Sequence, residues 1–344
     1  MNNLALATLS YLVLPLLLLI GVKKSCDLID QTSSTSVKGL FSVLLIIHHF
    51  VLKMWNQQYL EPMAWFGFLI VGWFFLTSGY GTYLSFQKNG PAGFWRKKVK
   101  RIWLPFVLSV FLQGLMRIFL LHQEGSVLLV AVHAATFRTL NGSFMWYITT
   151  QIVMYCCFFF SFRWIKRDTV RLLMMLLLIS GYILVSICLR QQYYNYVTCP
   201  SFAIGVILGR NREALRAWLK RIKRFWAAAA AIILYLVALI ITSHNESWML
   251  FILVPAAECA VSVLASLFQF KSAVLHYLGT LSYEIYIAQL TFIDLAIYYF
   301  DDTLPSLLFA IATTIVLAVM VSKASGAVLF AIDWIARKRK KNLC

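Results

Sequence analysis

The stretch that decides the fold reads Lys38-Gly-Leu-Phe-Ser-Val-Leu-Leu-Ile-Ile-His-His-Phe50. One cation opens it, and an almost entirely apolar run follows up to two adjacent histidines. Similar apolar blocks recur along the 344 residues, most of them about 17–23 residues long, which is the length of helix that crosses a ~30 Å hydrocarbon core. We therefore predict an all-α protein, a polytopic bundle of transmembrane helices in a lipid bilayer.

About eleven spans can be delimited from these blocks. They lie at about 4–22, 38–55, 64–86, 102–121, 144–162, 171–189, 196–209, 225–243, 248–270, 277–299 and 305–323. The span at 196–209 is short and contains Pro200 and Gly205. The apolar stretch 125–138 is interrupted by a histidine and an arginine, and we expect an interfacial or re-entrant segment there.

The composition supports a membrane protein and argues against other classes. Hydrophobic residues make up 61% of the chain and charged residues only 13%, whereas a soluble domain carries roughly a quarter. The formal net charge of +18 would suggest a nucleic-acid partner for a soluble protein. Here the basic residues sit in short loops beside apolar blocks, where they face anionic lipid headgroups, so we expect no nucleic acid. The seven cysteines include no Cys-x-x-Cys pair and lie mostly in apolar blocks, so we predict neither a disulfide framework nor a metal site.

The distribution of basic residues predicts the orientation of the chain. If the N-terminus lies outside, alternation along the spans puts nearly all of the 31 lysines and arginines into inside loops and the C-terminal end. The exceptions are Lys53, Arg117, Arg138, Arg190 and Lys323. The opposite orientation would invert this ratio. We therefore predict an outside N-terminus and a cytoplasmic C-terminus.

The first apolar block could instead be a signal peptide. It lacks a basic N-terminal region and an Ala-x-Ala-like cleavage site, and Lys23-Lys24 follow it directly, which favours a retained helix. We divide the chain into an extra N-terminal helix with its cytoplasmic loop at 1–35, a main transmembrane domain at 36–336, and a basic cytoplasmic tail at 337–344.

The opening stretch also holds the first candidate for chemistry. His49 follows Lys38 by eleven residues, about 16 Å along a helix axis, so both histidines lie within the membrane. An ionisable residue at that depth is a functional candidate by default, and histidine suits general-base catalysis. A histidine that is hydrogen-bonded between helices and performs no chemistry fits the pattern equally well. His48 points about 100° away from His49 around the helix, so only one of the two is expected to be catalytic.

Two further segments are ambiguous on their own. Phe74-Phe-Leu-Thr-Ser-Gly-Tyr-Gly81 contains Ser78 and Gly79, and small residues of this kind most often let two helices pack closely. The run Phe94-Trp-Arg-Lys-Lys-Val-Lys-Arg-Ile-Trp-Leu-Pro-Phe106 could grip phosphates through its cations, with Arg101 offering a two-pronged guanidinium. A basic run beside a span also serves topology and lipid contact without any further function.

A late segment and two isolated carboxyl groups complete the candidates. Tyr283, Tyr286 and Gln289 recur close to one helix face, although tyrosine is also common at membrane interfaces. Glu258 lies near the middle of its span, where a carboxylate is costly unless it is neutral or paired. It would orient a histidine, bind substrate, or be a protonated structural residue. Asp294 is a weaker case of the same kind.

Taken in order, these segments resemble the acyltransferase family 3 membrane proteins, which include O-antigen and other glycan O-acetyltransferases. The family's Arg-x10-His motif has its counterpart in Lys38-x10-His49, and its Phe-Phe-x-x-Ser-Gly motif in Phe74 to Gly79. The basic Arg-Ile-Pro motif resembles Lys97 to Pro105, and the late Ser-Tyr-x-x-Tyr motif matches Ser282 to Tyr286. The resemblance covers roughly residues 36–335, so the domain at 36–336 is expected to be the acyltransferase domain.

The sequence also departs from the family's pattern. Trp146-Tyr147 is similar to the family's Trp-Phe pair, but Lys38 replaces an arginine and loses its fork. Gln151 stands where many members have glutamate, and Gln289 where many have histidine, so a second acid or base is either missing or supplied elsewhere. The helix at 4–22 is extra to the usual ten.

The resemblance implies acyl transfer by a multi-pass protein of a cell membrane, expected to be the bacterial cytoplasmic membrane. The donor would be acetyl-CoA or another acyl-CoA on the cytoplasmic side. The acceptor would be a hydroxyl of an extracytoplasmic or lipid-linked glycan, and no metal is expected. The resemblance places in the catalytic set His49 as general base, with Lys38 and His48. It assigns donor binding to Arg101, Lys97, Lys98, Ser78 and Gly79. It assigns acceptor binding to Tyr283, Tyr286, Gln151, Trp146 and Glu258.

Two other functions fit the same sequence. A transporter or flippase of a lipid-linked saccharide would also need many helices, intramembrane ionisable residues and broken spans. Such a protein often carries an inverted repeat, and we find no internal repeat. An enzyme that acylates a small molecule is the second alternative, and the sequence does not separate it from glycan modification. The oligomeric state is not set by the sequence.

Overall fold

The computed structural model describes residues 14–19, 22–24, 27–53, 61–135, 146–242, 247–301 and 303–341, and these are almost entirely helical. The principal helices, in chain order, are α1 (Gln31–Val51), α2 (Glu61–Asn89), α3 (Phe94–Leu120), α4 (Val127–Ala135), α5 (Trp146–Trp164), α6 (Asp168–Cys188), α7 (Cys199–Arg210), α8 (Arg212–Arg221), α9 (Arg224–Thr242), α10 (Leu250–Leu267), α11 (Ala273–Thr280), α12 (Ser282–Phe300) and α13 (Leu304–Lys341). Short helical turns lie at Leu14–Leu16, Leu17–Leu19, Tyr193–Asn195 and Ser247–Met249. The predicted all-α bundle is confirmed.

Several of these helices have the properties of membrane spans. Among the described residues, five are long and apolar enough to cross a bilayer, namely α1, α3, α6, α10 and residues Leu304–Ile335 of α13. The outer face of α6 shows why a bilayer is needed, because Leu173, Leu177 and Leu184 are each more than half exposed there. Large apolar side chains on an outer helix face are favourable against lipid and unfavourable against water. The count of eleven spans and the orientation of the termini stay predictions.

The helix boundaries differ from the predicted spans at informative places. α1 begins at Gln31 rather than at Lys38, because Asp30 caps it by accepting a hydrogen bond from the Ser33 backbone N–H at 3.1 Å. Lys38 is therefore an interior residue of α1. The single span predicted at 277–299 is two helices, α11 and α12, which break at Leu281.

The two ends of the chain are described only in part. Most of the predicted first span, 4–22, lies outside the described residues. The backbone of α13 stays helical through Lys341, so residues 337–341 of the predicted tail continue the last helix. The stretch predicted to be interfacial or re-entrant at 125–138 contains the nine-residue helix α4.

Glycines set the closest helix contacts. A Cβ at Gly79 of α2 would overlap the Phe202 carbonyl oxygen of α7, and a Cβ at Gly205 of α7 would overlap the Leu76 carbonyl oxygen of α2. The same reciprocal arrangement joins α1 to α11 through Gly39 and Gly279. Both pairs of helices can approach this closely only because these positions carry no side chain.

A small β-ribbon closes one end of the bundle. Strand β1 (Lys23–Lys24) pairs antiparallel with β2 (Phe268–Gln269), so that Lys23 lies opposite Gln269. The sequence pattern could not indicate strands of two residues, and this element was not predicted. The Ile29 backbone N–H donates to Ser266 Oγ at 2.9 Å, which fixes the segment before α1 to the end of α10.

Ion pairs join residues that the predicted alternation puts at one end of the bundle. Asp333 of α13 accepts from Lys100 at 2.6 Å and lies 3.4 Å from Arg96. Arg216 of α8 pairs with Asp27 at 2.5 Å. We call this end, which also carries the β-ribbon, the basic end.

Candidate active site

A cavity of about 740 Å³ enters the bundle from the basic end. It begins beside loop residues Gly90 and Ala92, between α2 and α3, and reaches inward to Tyr147, Gln151 and Tyr286. Its walls come from α1, α2, α3, α5 and α12. Eight of the side chains that the sequence analysis selected line this one space: Lys38, Ser78, Lys97, Lys98, Arg101, Gln151, Tyr283 and Tyr286.

The basic run at the start of α3 is divided between two faces of the helix. Lys97, Lys98 and Arg101 line the cavity. Arg96 and Lys100 turn instead to Asp333 on α13. Residues four apart share a helix face, so 97 and 101 lie on one side and 96 and 100 on another. Within one run of sequence, the fold thus separates cations that are paired from cations that face a cavity.

Lys38 joins the cavity from α1, and we call Lys38, Lys97, Lys98 and Arg101 the cavity cations. Lys38 is close enough to Arg101 and Lys98 for their like charges to act on it. In the part of the chain that the structure describes, no cavity cation forms an ion pair with a carboxylate. Asp27, which pairs with Arg216, and Asp30, which caps α1, also line the cavity. The four cavity cations repel one another, and an anion in the cavity would reduce that repulsion.

Lys98 is held in place by neutral partners. Its Nζ donates to Thr82 Oγ1 at 2.9 Å and lies 3.6 Å from the centroid of the Tyr155 ring. The Tyr155 hydroxyl in turn lies 2.7 Å from Ser78 Oγ. A hydroxyl and an aromatic face position this ammonium group without supplying the negative charge of a carboxylate.

The inner wall of the cavity is aromatic and amide. The Tyr147 hydroxyl donates to Gln151 Oε1 at 3.3 Å, and the Tyr147 and Tyr286 rings have centroids 5.1 Å apart. The Tyr283 hydroxyl donates to the Ile102 carbonyl oxygen at 2.8 Å. These neutral groups offer hydrogen-bond donors and acceptors, but no charge, at the depth where the cavity ends.

His49 lies deeper than this wall and does not line the cavity. Its ring is 6% exposed and within hydrogen-bonding reach of Gln289 on α12, one turn beyond Tyr286. His48 faces another way, and its Nδ1–H donates to the Met63 carbonyl oxygen at 2.8 Å. The two histidines therefore separate as their spacing predicts, His48 toward α2 and His49 toward α12.

Besides the two histidines, three of the selected residues do not reach the cavity. Gly79 packs against Phe202 of α7, which is the packing alternative for its segment. Trp146 contacts the Tyr194 ring, with centroids 5.8 Å apart. Glu258 is fully buried between α10 and α2, next to Gly72. Their predicted roles in binding gain no support from these positions.

The cavity also contains residues that the sequence analysis did not select. Tyr147 and Tyr155 lie four residues before and four residues after the selected Gln151 and share its face of α5. That spacing, counted outward from Gln151, could have found both tyrosines. Arg212 and Thr82 also line the cavity, and no motif marks either residue.

At the opposite end of the bundle, the cations are paired with a carboxylate. Lys53, just after α1, and Arg117 of α3 both pair with Asp294 of α12. Arg117 Nε also donates to Thr291 Oγ1 at 3.2 Å, and the Thr291 hydroxyl donates to Gln113 Oε1 at 2.9 Å. We call Lys53, Arg117 and Asp294 the outer clamp. It fixes α1, α3 and α12 to one another one turn beyond His49.

Comparison with known proteins gives one clear match. No curated protein and no solved structure shows significant similarity to this chain. The sequence model of a family described as an acyltransferase domain matches residues 33–323. This region contains the cavity cations, both histidines and the outer clamp. Since the match covers most of the chain, the protein belongs to acyltransferase family 3.

Proposed function

We propose that this membrane acyltransferase transfers an acyl group, most simply acetyl, from acyl-CoA to a hydroxyl of an extracytoplasmic or lipid-linked glycan. The observation that carries the proposal is the set of cavity cations, which surround a space of about 740 Å³ without a carboxylate partner among the described residues. Small-molecule and cofactor sites have volumes of about 300–1,000 Å³.

The donor is assigned to the basic end by charge. Coenzyme A carries several phosphate charges, and the cavity cations can replace the water that solvates them. Arg101 can grip a phosphate with two parallel N–H groups, whereas the lysines act as point charges. The positive-inside rule puts this end in the cytoplasm, where acyl-CoA is found.

The distance from the cations to His49 suits an extended donor. Lys38 and His49 are eleven residues apart on the same helix, which corresponds to about 16 Å. A donor held by its phosphates beside Lys38 would extend its thin pantetheine arm past Ser78 and Gln151. Its thioester would then lie near Tyr286. The Tyr147 and Tyr286 rings, which close the cavity short of His49, would move aside so that the thioester and the acceptor hydroxyl reach the imidazole.

His49 is the general base of the proposed reaction. Its neutral imidazole takes the proton from the acceptor hydroxyl while that oxygen attacks the thioester carbonyl carbon. A C–O bond forms, the C–S bond breaks, and the imidazolium returns its proton to the departing thiolate of coenzyme A. Gln289 orients the ring, and as a neutral amide it does not accept the proton.

The experiment compares two arginines of the same basic run. Wild type, Arg101→Ala and Arg96→Ala would be reconstituted in nanodiscs, and acetyl-CoA binding measured by calorimetry. We expect Arg101→Ala to weaken binding about ten-fold, because charge-assisted hydrogen bonds to phosphate are lost. Arg96→Ala is the matched control. Arg96 faces Asp333 rather than the cavity, so this variant should bind acetyl-CoA as tightly as the wild type does.

Transfer is then measured with labelled acetyl-CoA and a panel of glycans. Equal binding by both variants would remove the cavity cations from donor recognition. If the wild type does not bind acetyl-CoA at all, the proposed donor is wrong and a transporter of lipid-linked saccharides becomes the better explanation.

A further inference from the structure

A second hollow lies on the outside of the bundle, between α8, α9 and α10. Its volume is about 580 Å³, and it shares no lining residue with the cavity of the proposed acyl donor. Ala227, Ala231 and Ala260 form part of its floor, Trp218 and Trp226 flank it, and Lys223 lies at one end. Nothing in the acyl-transfer mechanism uses it. We call it the alanine groove.

The groove follows from the sequence of α9. Residues 227–231 are five consecutive alanines, where other spans of this protein carry leucine or phenylalanine. Small side chains on the face toward α10 leave an open slot, because Ala260 and Cys259 opposite are small as well. The tryptophans at its sides are more than half exposed, so the slot opens toward the surroundings of the bundle.

The length of the groove matches one leaflet. Its lining runs from Lys223, just before α9, along that helix to Leu234, a length of about 16 Å. Half of a ~30 Å hydrocarbon core is about the same distance. A slot that is apolar along this length and open to the bilayer fits one fatty acyl chain.

The charge of the groove selects the headgroup. Lys223 stands at the basic end of the slot, and Lys220 and Arg221 precede it at the end of α8. None of these three cations is ion-paired to a carboxylate among the residues that the structure describes. Basic pockets at this level of a bundle favour anionic lipid headgroups, and the indoles of Trp218 and Trp226 suit the interface.

We propose that the alanine groove binds an anionic phospholipid of the leaflet at the basic end, with one acyl chain in the slot and the phosphate at Lys223. The bound lipid packs against α8, whose first residue, Arg212, lines the donor cavity. The lipid thereby supports one wall of the cavity mouth. The proposal does not depend on the identity of the acyl donor or acceptor.

The test uses phosphatidylglycerol that carries a photoactivatable diazirine in its acyl chain. The full-length protein in nanodiscs is irradiated, and the labelled peptides are mapped by mass spectrometry. We expect labelling to concentrate on residues 218–234 and 259–263, and to be displaced by unlabelled phosphatidylglycerol but not by phosphatidylcholine.

Two substitutions with matched controls test the geometry. Ala230→Phe places a ring in the slot from its exposed side and should abolish most of the labelling, whereas Leu177→Phe on the exposed face of α6 should not. Lys223→Gln should weaken competition by phosphatidylglycerol about five-fold, as one lysine near an anionic surface does. Lys88→Gln, an exposed lysine of the basic end outside both hollows, is its control.

Three results would overturn the proposal. Labelling spread equally over α6 and the groove would mean that lipid contacts the protein without a site. Equal competition by phosphatidylcholine would remove the headgroup selectivity. Unchanged labelling of Ala230→Phe, with the variant folded and monodisperse, would show that the slot holds no acyl chain.

Discussion

The two ends of the bundle use the same kinds of side chain for opposite purposes. At the basic end, the cavity cations surround a space and have no carboxylate partner in the described part of the chain. At the opposite end, the two cations of the outer clamp share Asp294 and are joined to α12 by further hydrogen bonds. A basic residue near a membrane therefore has no fixed role, and its partner decides what it does.

This difference has an energetic consequence. Cations that face one another without a counter-ion lower the stability of the empty protein and raise its affinity for an anion. Cations that share a partly buried carboxylate stabilise the fold, and removing that carboxylate leaves two like charges close together. Substitutions at the two ends should therefore separate ligand affinity from stability. His49 lies between the two ends of the bundle.

The largest effect is expected at His49. His49→Ala should lower kcat for acetyl transfer by roughly 10²–10⁴-fold, the usual contribution of a general base, and leave acetyl-CoA binding close to wild type. Turnover of labelled acetyl-CoA and donor calorimetry would measure the two quantities. His133→Ala on α4 is the control. Transfer that continues unchanged in His49→Ala would exclude His49 as the base.

Asp294 should give the next largest effect, on stability rather than on binding. Asp294→Asn removes the counter-charge of Lys53 and Arg117, and we expect a loss of about 2 kcal/mol, between the values for exposed and for fully buried pairs. Thermal unfolding in detergent would measure it, with exposed Asp301→Asn as control. Acetyl-CoA affinity should stay the same. A variant with normal stability would show that the clamp is only a surface contact.

The sequence predicted the all-α class, because apolar length is a local property. It could not predict which cations of the run at 94–106 are paired, because Asp333 lies far along the chain and only packing brings it to Arg96 and Lys100. The ambiguity of Ser78 and Gly79 has the same cause. Ser78 faces the cavity, whereas its neighbour Gly79 packs against α7, and the sequence does not show where α7 lies.

The relation of His49 to the cavity was also beyond the sequence. The spacing of Lys38 and His49 predicted a cation at one depth and a histidine about 16 Å further along the helix. It could not show that Tyr147 and Tyr286 close the cavity before His49 is reached, because those rings come from α5 and α12. Tertiary contacts between distant helices decide which polar groups share a space.

The smallest effects come from the same substitution made at Lys38, inside α1, and at Lys53, just after α1. Lys38→Ala should weaken acetyl-CoA binding about five-fold and leave stability unchanged or slightly higher, because Lys38 sits among like charges. Lys53→Ala should lower stability by about 1 kcal/mol without affecting acetyl-CoA, because it removes one partner of Asp294. Calorimetry measures the acetyl-CoA affinity of each variant, and thermal unfolding measures the stability of each variant. If both variants lose stability, or both lose affinity, the two ends do not differ as their pairing implies. Lys38→Arg then refines the result, since a guanidinium at this position should bind a phosphate at least as well as the lysine does.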